Sequence, residues 1–135
     1  MDTDTHESNV TKAIIGSAFE VANVLGSGFL EKVYERALVR ELGIRGVNAK
    51  AQVSFPVCYK ARCVGEYVAD LVVDEKVIVE LKCVDHLANE HVAQCINYLK
   101  ASGLEVALLI NFQRSKLEWK RILLDPLPVP VPQAG

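Results

Sequence analysis

The chain has 135 residues, 50% hydrophobic and 24% charged, which bounds it to one compact domain and excludes the disordered and fibrous classes. Fifteen Lys and Arg stand against seventeen Asp and Glu for a net charge of −2, so no global positive field marks a polyanionic partner, and nucleic-acid contacts have to come from a local patch. No secretory-signal pattern and no apolar run near the roughly 18 residues of a membrane span occur; the expectation is a soluble, cytoplasmic protein, alone or as a homodimer or larger complex.

Residues 1–9 are polar and read as a flexible N-terminus ahead of a single domain over 10–124. Apolar residues then recur at Ile14, Ile15, Ala18, Phe19, Ala22 and Leu25, a helical period that the glycines at 26 and 28 break. The period resumes through Leu30, Val33, Tyr34, Ala37, Leu38 and Leu42 up to Gly43, giving a second helix. From Ala49 the texture turns β-branched and aromatic, and "AQVSFPVCYK", "RCVGEYVADLVV" and "VIVELK" read as a three-stranded antiparallel meander with turns at 60–61 and 74–76. "NEHVAQCINYLKAS" is a third helix ending at Gly103, "EVALLINF" a strand buried on both faces, and "KLEWKRILL" a last strand. The tail 125–135, with prolines at alternate positions over much of its length, cannot pair inside a sheet and is expected to run extended. The order ααβββαββ defines a mixed α/β sandwich. Cys58, Cys63, Cys83 and Cys95 form no C-x-x-C pair and read as reduced cytosolic thiols; a bridge between Cys58 and Cys63, which face each other across a predicted hairpin, is the lesser alternative.

The stretch "VADLVVDEKVIVELK" places Asp70, Glu80 and Lys82 among residues that read as core. Alternation puts Glu66, Val68, Asp70 and Val72 on one face of their strand, and Ile78, Glu80 and Lys82 on one face of the next. With Asp74–Lys76 as a three-residue turn, Asp70 faces Glu80 directly, where two like charges destabilise a sheet unless something offsets the repulsion. A divalent cation held by both carboxylates does so, and oxygen ligands select Mg²⁺, Mn²⁺ or Ca²⁺. Lys82 projects from the same face, where it could orient a water nucleophile or stabilise charge developing on a phosphorane. The plainer reading is a Glu80–Lys82 salt bridge with Asp70 solvated on an edge. A two-residue turn would send Asp70 and Glu80 to opposite faces.

An acidic residue on a strand followed about ten residues later by E-x-K on the next resembles the PD-(D/E)XK nuclease superfamily. Glu31, just after the glycine turn, matches the acid that the superfamily usually draws from an upstream helix, and Gln94 and Tyr98 in "QCINY" match the Q-x-x-x-Y of its RecB-like branch. More closely, "LGSGFLEKVYERAL", "GEYVADLVVDEKVIVELK", "AQCINYL" and "LLINF", between about Ile14 and Ile122, are similar to the GxxExxxxY family within that superfamily. Ala69 replaces the proline of "PD", and reading Gly28 and Glu31 as the start of the name pattern puts Arg36 where its tyrosine would fall, with Tyr34 nearby.

The resemblance implies a PD-(D/E)XK nuclease-like core, a mixed central sheet flanked by helices. It implies Mg²⁺ (or Mn²⁺) held by Asp70, Glu80 and the main-chain carbonyl of Leu81, with Glu31 completing the shell directly or through water. Lys82 would assist the attacking water, and Asp70, Glu80, Lys82 and Glu31 would be catalytic. Gln94 and Tyr98 share a helical face, apart from the apolar Val92, Ile96 and Leu99, and would bond to substrate phosphate or to Lys82; a polar shoulder on an amphipathic helix is the plainer reading. His91, His86 and Asp85 read as solvated residues. Lys100, Arg114, Lys116, Lys120, Arg121, Lys60 and Arg62 are the candidate backbone contacts, and Trp119 reads as core or interface rather than a stacking platform. The function expected is metal-dependent hydrolysis of phosphodiester bonds in a nucleic acid, DNA favoured over RNA. The rival readings are a catalytically silent nuclease-fold module for nucleic-acid binding or protein interaction, and a structural homodimer whose acidic cluster is only a salt-bridge network.

Overall fold

The computed structural model describes residues 3–113 and 115–124, with side chains from residue 9 onward. Arg114 and the proline-rich segment 125–135 lie outside the described residues. Among the described residues, three helices and five strands follow in the order α1 (Thr3–Leu25), α2 (Glu31–Ile44), β1 (Ala49–Tyr59), β2 (Arg62–Val73), β3 (Val77–Lys82), α3 (Asn89–Ser102), β4 (Val106–Asn111) and β5 (Glu118–Leu123). They build a mixed α/β fold around one five-stranded sheet of order β1-β2-β3-β4-β5. The pairs β1–β2, β2–β3 and β4–β5 are antiparallel and β3–β4 is parallel. A parallel pair needs a crossover, which α3 supplies.

Helices cover both faces. On one, Ile14, Ala18, Tyr34, Leu38 and Leu42 of α1 and α2 pack on Leu71, Val73, Val77, Val79, Leu108 and Ile110. On the other, Cys95, Tyr98 and Leu99 of α3 pack on Val72, Ile78, Ala107 and Leu109. Strand β4 is buried along its whole length and β3 up to Leu81, as a doubly covered sheet centre requires. Helix α3 stops where Gly103 turns left-handed (φ 76°) and its N–H bonds to the Leu99 carbonyl.

The first helix begins at Thr3, ahead of the boundary expected at residue 10. Its buried stripe runs Val10, Ile14, Ala18, Val21, and Phe19, expected in the core, is 44% exposed. Leu30 and Val33 are exposed as well, because Leu30 only caps α2 while Tyr34, Leu38 and Leu42 form its inner stripe.

The side-chain alternation of β2 breaks at Asp70. Leu71 and Val73 pack on the α1/α2 side, yet Ala69 joins Val72 on the α3 side. Strand β1 makes the same change: Ala49 packs toward α1/α2 and Val53 toward α3. Between them Gln52 takes the left-handed φ of 55°. Because both strands change phase at facing positions, the pairs Ala51↔Leu71 and Val53↔Ala69 keep one register. The expectation that Glu66, Val68, Asp70 and Val72 share a face is therefore corrected: the strand is not regular through Asp70.

Candidate active site

The turn Asp74–Lys76 sets the β2–β3 register. Asp74 and Glu75 are left-handed (φ 53° and 56°) and the Lys76 N–H bonds to the Val73 carbonyl at 3.0 Å, the primed geometry that matches strand twist. The pairs are Val73↔Val77, Val72↔Ile78 and Leu71↔Val79, and the next step brings Asp70 to Glu80. There the backbone ladder stops and side chains take its place. The Asp70 amide donates to Glu80 Oε1 at 3.0 Å, and the Leu81 amide donates to Asp70 Oδ2 at 2.8 Å.

These bonds hold two carboxyl groups together in a poorly solvated place. Glu80 is 2% exposed. Burial, followed by the charge of Asp70, pushes its carboxyl up to about 8, and a side-chain hydrogen bond to Asp70 acts in the same direction. Burial also raises Asp70, against the pull of the Leu81 amide. A pair in this state shares a proton or takes up a cation.

Lys82 ends β3 half-buried, and its Nζ donates to Gln94 Oε1 on α3 at 2.9 Å. It does not form the same-strand ion pair with Glu80, and Asp70 sits between paired strands rather than on a solvated edge. Tyr98 follows a different course from Gln94. It is buried in the α3-side cluster with Leu99, its ring edge-on to Tyr67 at 5.4 Å, so it does not form a polar face apart from the apolar set. Burial, then Glu80 and Asp70, push its hydroxyl up to about 12.

The glycine turn delivers Glu31. Gly26 and Gly28 are left-handed (φ 71° and 112°), where a side chain would be strained. The buried Tyr34 pins the turn: its hydroxyl donates to the Gly26 carbonyl at 2.6 Å and accepts from the Phe29 amide at 3.2 Å. Its ring stacks on Phe112 at 4.6 Å, and the Phe112 amide bonds to the Lys82 carbonyl. The start of α2 is thereby tied to the end of β3. Glu31 is raised by partial burial, opposed by Lys82, and raised further by Asp70 and Glu35.

Three residues not singled out from sequence complete the cleft, of about 230 Å³, lined by Glu31, Lys32, Glu35, Gln52, Asp70 and Leu81. Glu35 is buried and accepts from Gln52 Nε2 at 2.5 Å and from Lys32 Nζ at 2.9 Å. Its position on the inner stripe of α2, one residue after Tyr34, was the available signal. Behind the site, the buried Asn111 accepts from the Val84 and Gln113 amides and donates to the Val84 carbonyl and Glu118, fixing the loop that leads into α3 and Gln94.

His91 Nδ1 accepts from the Ala88 amide at the start of α3. Asp85 and His86 are exposed. Trp119, expected in a core or interface, is 40% exposed on β5. Among the described residues, no group of three or more His, Cys, Asp or Glu side chains is placed to hold a metal ion, while Glu31 and Asp70 line one cleft. No described helix is long and apolar enough to cross a membrane.

A sheet opened between two antiparallel strands to seat an acidic pair, with E-x-K on the second strand, defines a nuclease-type core. A family model for the PD-(D/E)XK nuclease superfamily matches residues 8–122, and the chain belongs to that superfamily. Among solved structures it is similar to SSO0001, at a TM-score of 0.57 and 18% identity over 92% of this chain. The likeness is one of fold, and the chain spans 61% of the SSO0001 chain. It is also similar to an alkaline exonuclease (LHK-Exo) from Laribacter hongkongensis, at a TM-score of 0.48 and 12% identity, covering 80% of this chain and 76% of that one. No curated protein matches the chain.

Nucleases of this superfamily generally use divalent metals. The donor set fits such an ion: two hydrogen-bonded carboxyls, both raised by burial and only partly relieved by the charge of Lys82, offer hard oxygen ligands.

Proposed function

We propose that the chain is a metal-dependent nuclease of the cytoplasm that hydrolyses phosphodiester bonds, with DNA favoured over RNA, and that it belongs to the GxxExxxxY family of the RecB-like branch. The observation that carries this reading is the meeting of Asp70 and Glu80 where the β2–β3 ladder opens, with Lys82 two residues on. In this reading Asp70, Glu80 and the Leu81 carbonyl would hold Mg²⁺ or Mn²⁺, with Glu31 completing the shell directly or through water. When bound, the ion supplies Lewis acidity toward a phosphoryl oxygen and lowers the pKa of water.

The remaining work falls to the chain's own groups. Lys82, oriented by Gln94, holds the attacking water and donates to the developing negative charge. Gln94 is then a positioning residue that also reaches phosphate, and Tyr98 is the second substrate-binding candidate on α3. Lys32, at the cleft, adds positive charge where the polyanion approaches.

The test is hydrolysis of linear single- and double-stranded DNA and RNA with Mg²⁺ or Mn²⁺, comparing the wild type with Asp70→Ala and Lys82→Ala. Loss of cleavage in both variants supports the proposal, and equal rates in all three proteins reject it. A second reading, a catalytically silent nuclease-fold module, draws on the lack of a third converging side chain among the described residues. It expects nucleic-acid or partner binding that survives Asp70→Ala and Glu80→Ala, with no cleavage by the wild type.

A further inference from the structure

Beyond the site, β1 and β2 continue as a two-stranded ribbon. They pair out to Tyr59↔Arg62, whereas β3 joins β2 only at residues 71–73. Near the ribbon tip Cys58 pairs with Cys63, the two Sγ atoms share a hydrogen bond at 2.8 Å, and both residues are exposed.

This meeting depends on a local irregularity. The pairs from Ala49↔Val73 to Val57↔Gly65 keep one register, and the register then shifts so that Cys58 meets Cys63 and Val64 is left without a partner in the ladder. Carried on unshifted, the register would set Cys58 opposite Val64. The turn beyond is closed by Lys60 and Ala61, both left-handed (φ 45° and 66°) and neither a glycine, a conformation that side chains disfavour. A bulge and a strained turn thus combine to put one thiol against another, at facing ladder positions whose Cα separation lies in the range a disulfide spans.

The other two cysteines differ. Cys95 is buried, with its thiol pushed up to about 12 by burial and then by Glu80, which leaves it inert as a nucleophile. Cys83 is partly buried after β3, and its Sγ lies 3.7 Å from the Phe29 carbonyl that accepts from it.

We propose that Cys58 and Cys63 form a reversible dithiol–disulfide site at the ribbon tip, oxidised by small-molecule disulfides. The thiolate of Cys63 attacks one sulfur of the small disulfide; its S–S bond breaks, a mixed disulfide forms on Cys63, and one small thiolate leaves. Cys58 then gives up its proton and attacks the Cys63 sulfur, forming the intrachain bond and releasing the second small thiolate. The two protein protons end on the two released thiols, so the protein is oxidised by two electrons and the small disulfide is reduced by two. The Cys58 thiol is raised by its bond to Cys63, in keeping with its role as the second nucleophile. The inference rests on the ribbon alone and is independent of the proposed nuclease activity.

The experiment exposes the full chain to oxidised glutathione, traps remaining thiols with an alkylating agent, and reads intact mass and proteolytic peptides. Before trapping, the wild type is expected to lose about 2 Da, one disulfide's worth of hydrogen, and after trapping Cys58 and Cys63 are expected to carry no alkyl label, through a link that dithiothreitol reverses. Cys58→Ser is expected to retain a glutathione adduct on Cys63 about 100-fold longer than the wild type, because the intramolecular second step is gone. Cys63→Ser serves as the reciprocal variant, and both positions are exposed, so neither change disturbs the core. A persistent adduct on either cysteine of the wild type, an interchain dimer, or two unmodified thiols after the same exposure would each overturn the proposal.

Discussion

Replacing Glu80 by Gln tests the acidic pair without reference to catalysis. The Glu80 carboxyl is pushed up to about 8 from an ordinary 4.5, with burial as the main cause. Between those values the folded state holds more protons than the unfolded chain, so without metal the stability falls as pH rises from the unfolded value toward the folded one. Integrated to pH 7, the penalty is about 3 kcal/mol, and to pH 5 it is under about 1 kcal/mol. Gln keeps the shape and the acceptor oxygen for the Asp70 amide but carries no charge. Urea unfolding in chelator across pH 5 to 8 is therefore expected to show Glu80→Gln more stable than the wild type at neutral pH by up to about 3 kcal/mol, with the difference closing toward pH 5. Mg²⁺ or Mn²⁺ at a thousandfold excess over its Kd should reverse the order, since it adds about 4.1 kcal/mol to the wild type alone. Parallel pH profiles for the two proteins in chelator would refute the buried-pair argument, and equal metal stabilisation of both would refute Glu80 as a ligand.

Lys82→Ala is expected to lower kcat by about 10² to 10³ with little change in KM, whereas Gln94→Ala, which frees the Lys82 ammonium and removes a phosphate contact, should cost about tenfold in kcat and also raise KM; steady-state kinetics on a cleaved oligonucleotide separates them. Tyr34→Phe removes the bond to the Gly26 carbonyl and the acceptor for the Phe29 amide while keeping the Phe112 stack, and should destabilise by about 0.5–1.5 kcal/mol in urea unfolding. Gln52→Ala leaves Glu35 without its amide partner and keeps a side chain at a left-handed φ, so it should destabilise, and Gln52→Gly should recover part of that loss by relieving the backbone, as measured by thermal melting.

Much of the site could be read from residue order, and the reasons are local. The β2, β3 and α3 segments carry β-branched runs or a helical period cut by strong punctuation, and Asp74–Lys76 is long enough to fix the pairing that brings Asp70 to Glu80. Gln94 reaches Lys82 because a helix crossing back over the sheet must pass the end of β3. The phase change at Gln52 and Asp70 was not readable. Left-handed backbone is usually announced by Gly or Asn, and here a glutamine adopts it where a buried glutamate accepts its side-chain amide. The start of α1 was missed for a similar reason, because a polar stretch gives no apolar period even when the helix continues through it. Tyr98 shows the limit of helical-wheel reasoning: its spacing from Gln94 is right, but a tyrosine one turn on lies deeper, against Tyr67.

The broken alternation explains how a charged pair survives in a sheet whose centre is otherwise uncharged. In a regular ladder Asp70 and Glu80 would each spend their backbone groups on the partner strand and leave two carboxylates facing each other with little to bind them. Here the ladder gives way at that step, the Asp70 amide turns to Glu80, and the Leu81 amide turns to Asp70. Each carboxyl is thus held by a backbone donor belonging to the other strand. Moving either strand by one residue would remove both bonds at once and also carry Val72 and Ile78 away from α3. The geometry of the acidic pair is therefore enforced by the packing of the core, and a cation bound there would stabilise the same register that the hydrophobic faces already select.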